Sequence, residues 1–182
     1  MTMAGFIRHS SVHPLPGTRK ELDYMLDGTR KLRLQVQPCA GINPVLIESL
    51  LGITLPQNPQ EKVNNEPTAY WLGPNDWLLV NPAPDINSVS SALRDSASGA
   101  TAGVTDMTDA WSIIDISGED AVARLAEGCS VDLHDNAFPS GRYALTRLQH
   151  LPVIIHRLDD TPRFRILVDR SVAQFLRDWL GG

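Results

Sequence analysis

The order of apolar runs, breakers and helical periods predicts an α+β protein made of two half-units of split βαβ, ferredoxin-like character. Antiparallel sheets with helices packed on one face follow from that order. Three observations carry the prediction. Strand, Gly-containing turn, helix and Gly stop occur at 32–52 and again at 111–128. Hairpin followed by helix occurs at 69–95 and again at 153–180, with an extra strand in the second copy. Between the copies, DSASGATAG at 95–103 reads as a flexible link. One compact protein is expected, divided into an irregular N-terminal arm at 1–31, a first half-unit at 32–98 and a second at 103–182.

Within 1–31 there is no clean period, and Pro14, Pro16, Gly17 and Gly28 interrupt it. Leu32, Leu34 and Val36 alternate with Arg33, Gln35 and Gln37, the pattern of a half-buried strand. A helix follows, with Asn43 as N-cap, Pro44 at its first position, Val45, Leu46, Leu50 and Leu51 as its apolar stripe, and Gly52 as its stop. Residues 56–67 are rich in Pro, Asn and Gln and read as a loop. In AYWLGPNDWLLV, the turn Gly73-Pro74-Asn75-Asp76 joins two apolar runs into a hairpin. Asp85 is placed to cap a helix carrying Ile86, Val89 and Leu93.

The second copy opens with a strand at Trp111–Ile116. Ser117 and Asp120 have capping-box spacing before a helix whose Ala121, Val122, Leu125 and Ala126 face inward, and Gly128 ends it. Strands are expected near Tyr143–Leu148, Val153–Leu158 and Phe164–Val168. The last helix, about 171–180, carries Val172, Phe175, Leu176, Trp179 and Leu180 at i, i+3, i+4, i+7 and i+8.

Composition narrows the function classes. Of 182 residues, 42% are hydrophobic and 20% charged, an ordinary globular balance. No window reaches the ~18 apolar residues of a membrane span, and MTMAGFIRHSSVHPLPG lacks the apolar stretch of a secretory signal. A cytoplasmic location is expected. Net charge is -5, which argues against a general nucleic-acid binder. Charge is nevertheless segregated. Residues 60–140 hold 3 basic and 13 acidic side chains, whereas 141–182 hold 7 Arg and 4 Asp. Such complementary surfaces suit a partner, although two solvated faces of a monomer would show the same pattern.

Motifs for chemistry are scarce. The chain has no G-x-G-x-x-G, G-x-x-x-x-G-K-[ST], H-E-x-x-H, C-x-x-C or G-x-S-x-G. Asp132-Leu133-His134-Asp135 could bind a metal or relay a proton, but its spacing better suits a hydrogen-bonded loop cap. Cys39 and Cys129 are expected to be unpaired, buried thiols, since no base or positive neighbour activates either in the sequence. His9 and His13 read as loop residues. Trp71, Trp77, Trp111 and Trp179 could frame a planar ring; their strand and helix spacing reads as core.

The strings LGPNDWLLV (72–80), TDMTDAWSIIDISG (105–118), ARLAEGCSVDLHDNAFPSGRYALTRL (123–148) and VIIHRLDDTPRFRILVDRSVAQFLRDWL (153–180) occur here in unbroken order. They resemble the gamma subunit of heterotetrameric sarcosine oxidase, and DLH-x-x-AF-P-x-G is the most specific piece. The resemblance spans about residues 68–180; before it, only LRLQVQP matches loosely. Trp111 stands where such strings often carry an Arg after S/T-D-A.

The resemblance implies a fold like the folate-binding aminomethyltransferase modules and a cytoplasmic complex that oxidatively demethylates sarcosine to glycine. FAD, FMN, NAD, tetrahydrofolate and zinc would reside on alpha, beta and delta partner subunits, with no cofactor on this chain. No catalytic residue and no metal ligand carries over, and no cofactor-binding residue is assigned. Trp111, His134, Phe138, Arg142 and Arg170 are the candidate partner contacts. Two alternatives stand beside this reading. One is the matching small subunit of an N-methylglutamate dehydrogenase. The other is a stand-alone folate-binding module, which would need a pocket carboxylate such as Asp106, Asp109 or Asp115 for the pterin ring.

Overall fold

A computed structural model of the chain describes residues 22–23, 29–36, 44–59, 61–63, 67–82, 87–91 and 102–181. In chain order the elements are β1 (Leu22–Asp23), β2 (Lys31–Val36), α1 (Pro44–Leu51), β3 (Thr68–Gly73), β4 (Asp76–Val80), a short helix α2 (87–91), β5 (Ala102–Asp106), β6 (Trp111–Ser117), α3 (Ala121–Ala126), β7 (Tyr143–Leu148), β8 (Leu151–Arg157), β9 (Arg163–Asp169), a 3-10 turn (Arg170–Val172) and α4 (Ala173–Gly181). The α+β class read from the sequence is the class observed. The expected caps Asn43 and Asp85, and His9, His13 and Cys39, lie outside the described residues.

The strands form two antiparallel sheets. One has four strands in the order β3-β4-β2-β5, and the other has five in the order β1-β6-β9-β8-β7. Period-two alternation sorts their side chains into three cores. On one face of the four-stranded sheet, Leu32, Leu34, Ala69, Trp77 and Leu79 pack with Ile47 and Leu51 of α1 and Val89 of α2. On one face of the five-stranded sheet, Ile114, Ile155, Phe164, Ile166 and Val168 pack with Leu125 of α3 and Leu176 and Leu180 of α4. The remaining faces meet each other through Tyr70, Leu78, Val80, Ile113, Tyr143, Ile154 and Leu167. The result is four layers, α/β/β/α. Each fully buried aliphatic or Phe side chain contributes about 1.5–3 kcal/mol relative to exposure.

Local chemistry explains most boundaries. Gly52 takes φ 63, and its N–H reaches the Glu48 carbonyl at 2.8 Å, closing α1 with a left-handed residue. The β3–β4 hairpin turns through Asn75 at φ 58 and carries a register shift between Trp71 and Gly73. Trp77 is 3% exposed and satisfies its indole N–H on the Pro56 carbonyl at 2.7 Å.

Several expectations are corrected. Asp120, expected at the third position of a capping box opened by Ser117, instead occupies the N-cap of α3 and makes no side-chain cap bond. Ala126, expected to face inward, is exposed. The stripe of α4 is rotated by about one residue. Ala173, Leu176, Arg177 and Leu180 are buried, while Phe175 is 57% exposed and Trp179 is only half-buried. Strand β5 was not anticipated. It is short and contains Ala and Gly, yet it pairs with β2 over Leu32↔Asp106 to Val36↔Ala102.

Candidate functional site

The string DLHDNAFPSGR builds the loop between α3 and β7. Leu133 and Phe138 are buried anchors. Asp132 Oδ1 accepts the His134 backbone N–H at 3.0 Å and lies 2.8 Å from His134 Nδ1, so the pair is a loop cap on the surface. These N–H groups hold the Asp132 carboxyl below its ordinary range. Gly141, at φ 78, donates its N–H to the Arg157 carbonyl, and the Arg157 N–H reaches Arg142 O, both at 2.9 Å. That pattern is a bulge with glycine in its left-handed position, where a side chain would be strained.

The loop encloses Arg157, which is 1% exposed. Its guanidinium donates to Phe138 O at 3.2 Å, Asp159 O at 3.1 Å, Asp160 O at 3.1 Å and Asp135 Oδ1 at 2.7 Å. It also lies 5.7 Å from the Phe164 ring centroid. A buried guanidinium is tolerated only when its fixed fork of donors is met. Here three backbone carbonyls and one carboxylate meet it.

A polar row crosses the inter-sheet face. The registers Asp115↔Arg165, Arg165↔His156 and His156↔Tyr143 place four polar residues side by side on β6, β9, β8 and β7. Arg165 donates Nε and Nη2 to the two Asp115 oxygens, each at 2.9 Å. Tyr70, from the other sheet, brings its hydroxyl within 3.0 Å of His156 Nδ1. The Tyr143 hydroxyl accepts the Trp71 N–H at 2.9 Å. His156 Nε2 is buried and has no hydrogen-bond partner. Burial, and then the Arg165 charge, push the His156 pKa down to about 3. Burial pushes Tyr143 up to about 12, and Tyr70 upward as well. The row therefore joins the sheets with a neutral imidazole and two neutral phenols. Neither that imidazole nor those phenols is poised to carry a proton near neutral pH.

The open surface lies beside β7, an edge strand. A groove of about 420 Å³ is lined by Trp71, Val131, Ala137, Phe138, Arg142 and Leu145, with Asp132 at its rim. A second of about 330 Å³ is lined by Leu72, Trp111, Leu145, Arg147, Pro152 and Ile154. Leu145, 45% exposed, stands in both. Both grooves are mainly apolar and open, suited to a chain or surface rather than an enclosed small molecule.

Of the candidate partner contacts, Arg142 and Phe138 line the first groove and Trp111 lines the second. His134 is exposed beside the first, next to Asp132. Arg170 lies apart from both linings; its Nη1 meets Asp109 Oδ1 at 3.2 Å and its N–H bonds Ala110 O at 3.0 Å. The carboxylates considered for a pterin are all engaged. Asp115 is consumed by Arg165, Asp109 meets Arg170, and Asp106 accepts the Thr108 N–H at 2.8 Å. Cys129 is a free, buried thiol. Of the four Trp, only Trp77 is fully core; Trp71 and Trp111 are half-buried groove walls. Among the described residues no group of three His, Cys, Asp or Glu could hold a metal, and no helix is long and apolar enough to cross a membrane.

Sequence reasoning missed Tyr70, Tyr143, His156, Arg157 and Arg165. The signal was present. In VIIHRL and FRILV, polar residues interrupt runs otherwise apolar enough to be buried on both faces, and a charge there requires a partner.

Comparison with known proteins follows the same outline. Residues 41–182 match the model of the sarcosine oxidase, gamma subunit family. The sarcosine oxidase subunit gamma of Arthrobacter sp is 33% identical over 113 residues, 61% of this chain and 55% of that one. The subunit gamma of Corynebacterium sp. (strain U-96) is 28% identical over 110 residues, 60% of this chain and 52% of that one. The chain thus aligns with about half the length of these curated relatives. Among solved structures, a chain of the heterotetrameric sarcosine oxidase from Corynebacterium sp. U-96, in complex with pyrrole 2-carboxylate, superposes with TM-score 0.74 at 24% identity. That match covers 87% of this chain and 80% of that chain. Aminomethyltransferase T of the glycine cleavage system from Bartonella henselae gives TM-score 0.51 at 17% identity, over 85% of this chain and 43% of that one. Both superpositions speak to the fold alone. With the family model matched over residues 41–182, the chain belongs to the sarcosine oxidase gamma subunit family.

Proposed function

We propose that this chain is a non-catalytic subunit of a multi-subunit sarcosine oxidase, one that demethylates sarcosine to glycine with folate-linked transfer of the one-carbon unit. In this reading alpha, beta and delta subunits are its partners, and FAD, FMN, NAD, tetrahydrofolate and zinc reside on them. Family membership over residues 41–182 is the observation that carries the reading. The geometry supports it too. The most distinctive motif is spent on enclosing Arg157, and the core polar row is spent on joining two sheets. Among the described residues, two apolar grooves, each lined in part by an arginine, face outward. Architecture rather than chemistry is the role such a distribution serves. The same features would serve the small subunit of an N-methylglutamate dehydrogenase.

Purified alone, the chain is expected to be colourless and to turn over neither sarcosine nor N-methylglutamate. Co-expressed with its gene neighbours, it is expected to co-purify with a yellow complex whose assembly requires it; substrate assays on that complex separate the two amines. A tightly bound flavin on the isolated chain, or a fully active complex assembled without it, would defeat the reading.

A further inference from the structure

Strand β7 has one neighbour, β8, and its other edge is nearly open. Among the described residues, that edge is met at its far end by Cys129, which makes an isolated bridge to Leu148 and brings Sγ within 3.9 Å of Thr146 Oγ1, with Gln149 N–H bonded to Gly128 O at 3.1 Å. In an antiparallel ladder, alternate residues turn both backbone groups away from their partner. The Arg157 N–H to Arg142 O bond fixes that phase. Even-numbered residues of β7 face β8 and odd-numbered ones face away; Arg147 lies within the Cys129 bridge, so Tyr143 and Leu145 present N–H and C=O to the open side. The bonds just beyond the strand keep the same phase, since Gly141 O accepts Val63 N–H and Gln149 N–H reaches Gly128 O. Leu145 stands at the centre of this edge and is the side chain shared by the two apolar grooves.

Charge identifies the occupant. Arg142 lines one groove and Arg147 the other. Neither guanidinium has a side-chain partner among the described residues, whereas Arg33, Arg157, Arg165 and Arg170 each bind a carboxylate. Asp132, at the rim of the first groove, is already bonded to His134.

We infer that the β7 edge, between Arg142 and Arg147, takes an extended segment of a partner subunit as an added strand. The segment has apolar side chains for the grooves on either side of Leu145 and carboxylates for the two arginines. Main-chain bonds to an exposed edge supply affinity, and side-chain pockets and charges supply register. Leaving such an edge bare beside an exposed Leu would invite unselective pairing, so a dedicated occupant also explains why it persists. The inference rests on the subunit reading above and specifies its contact surface.

Hydrogen–deuterium exchange on the free chain and on the co-expressed complex tests it. At Tyr143 and Leu145 the amides are expected to exchange at least tenfold more slowly in the complex. Leu145→Pro removes one outward N–H without breaking the ladder to β8, and Arg142→Glu/Arg147→Glu reverses the charge. Both are expected to lose co-purification while the free chain keeps its melting temperature. A complex that forms with β7 amides unprotected overturns the inference and leaves the subunit reading standing. Failure of the wild-type chain to join any complex overturns both. Sedimentation showing a dimer of the free chain that Leu145→Pro dissociates would assign the edge to a second copy and overturn the partner proposed.

Discussion

Asp115 and Arg165 face each other in the β6/β9 register and bind through two parallel hydrogen bonds, both 2.9 Å, with side chains 4% and 5% exposed. Bidentate geometry is what makes a desolvated pair tolerable. Asp115→Leu or Arg165→Met alone leaves its partner uncompensated and should destabilise by about 3–5 kcal/mol. The double replacement Asp115→Leu/Arg165→Met should recover most of that loss, and could exceed wild type. Urea unfolding of the four proteins forms the cycle. Additive single effects with no recovery in the double variant would show that the two residues act separately.

The neighbouring His156 gives the protein an acid sensitivity. Its folded pKa of about 3 lies below the ordinary 6.5 because of burial and then Arg165. Between those values the unfolded chain binds the proton and the folded chain does not. Stability is therefore complete above pH 6.5 and falls as the pH drops toward 3, by up to ~1.4 kcal/mol per unit for this group. From pH 6.5 to 4.5 the loss should reach roughly 2–3 kcal/mol. His156→Gln should flatten that interval, measured by urea titration at each pH. An unchanged slope in the variant would place the sensitivity elsewhere.

Legibility differed by kind of signal. The β3–β4 hairpin, β6–β9 and the Gly52 stop follow from alternation, turn residues and glycine, all local, and the structure has them. Strand β5 was hidden because AGVTD has little apolar bulk; its place comes from pairing with β2, a non-local effect. The polar row was hidden for a related reason: Asp115, Arg165, His156 and Tyr143 are far apart in sequence and meet only through register. The DLH-x-x-AF-P-x-G string stood out as specific, but its purpose appears only when Arg157 is seen inside it.

Gly141 separates conformational need from simple lack of space. It sits at φ 78, and an added Cβ would lie 3.2 Å from the Val63 carbonyl oxygen. Gly141→Ala should therefore cost about 1–2 kcal/mol for the left-handed backbone alone, with the close contact adding to it. Gly103, in β5, has no positive φ and open space around its Cβ position. Gly103→Ala should be neutral or stabilise by up to ~1 kcal/mol, through the unfolded chain. The melting temperature should fall for Gly141→Ala and hold or rise for Gly103→Ala; equal shifts would contradict the bulge geometry.

Helix α4 offers the sharpest contrast between sequence pattern and structure. Apolar periodicity assigns Phe175 and Leu176 to one stripe, but Leu176 is 0% exposed and Phe175 is 57% exposed. The rotation includes Arg177. Its side chain is fully buried, guanidinium included, whereas periodicity scores arginine as a solvent residue. Arg177 shares the inward face with Ala173, Leu176 and Leu180, and Phe175 points out. Trp179 stays at the margin of the stripe, against Gly128, where an added Cβ would meet its ring at 3.0 Å. Leu176→Ala should cost about 2–5 kcal/mol, transfer and cavity together. Phe175→Ala should stay within about 0.5 kcal/mol of wild type in the free chain, as surface replacements do. Trp179→Ala should fall between them. Urea midpoints measured at constant m-value give the ranking. If Phe175→Ala proved as costly as Leu176→Ala, the helix would have to be turned back to the stripe its sequence suggests, with Arg177 in solvent.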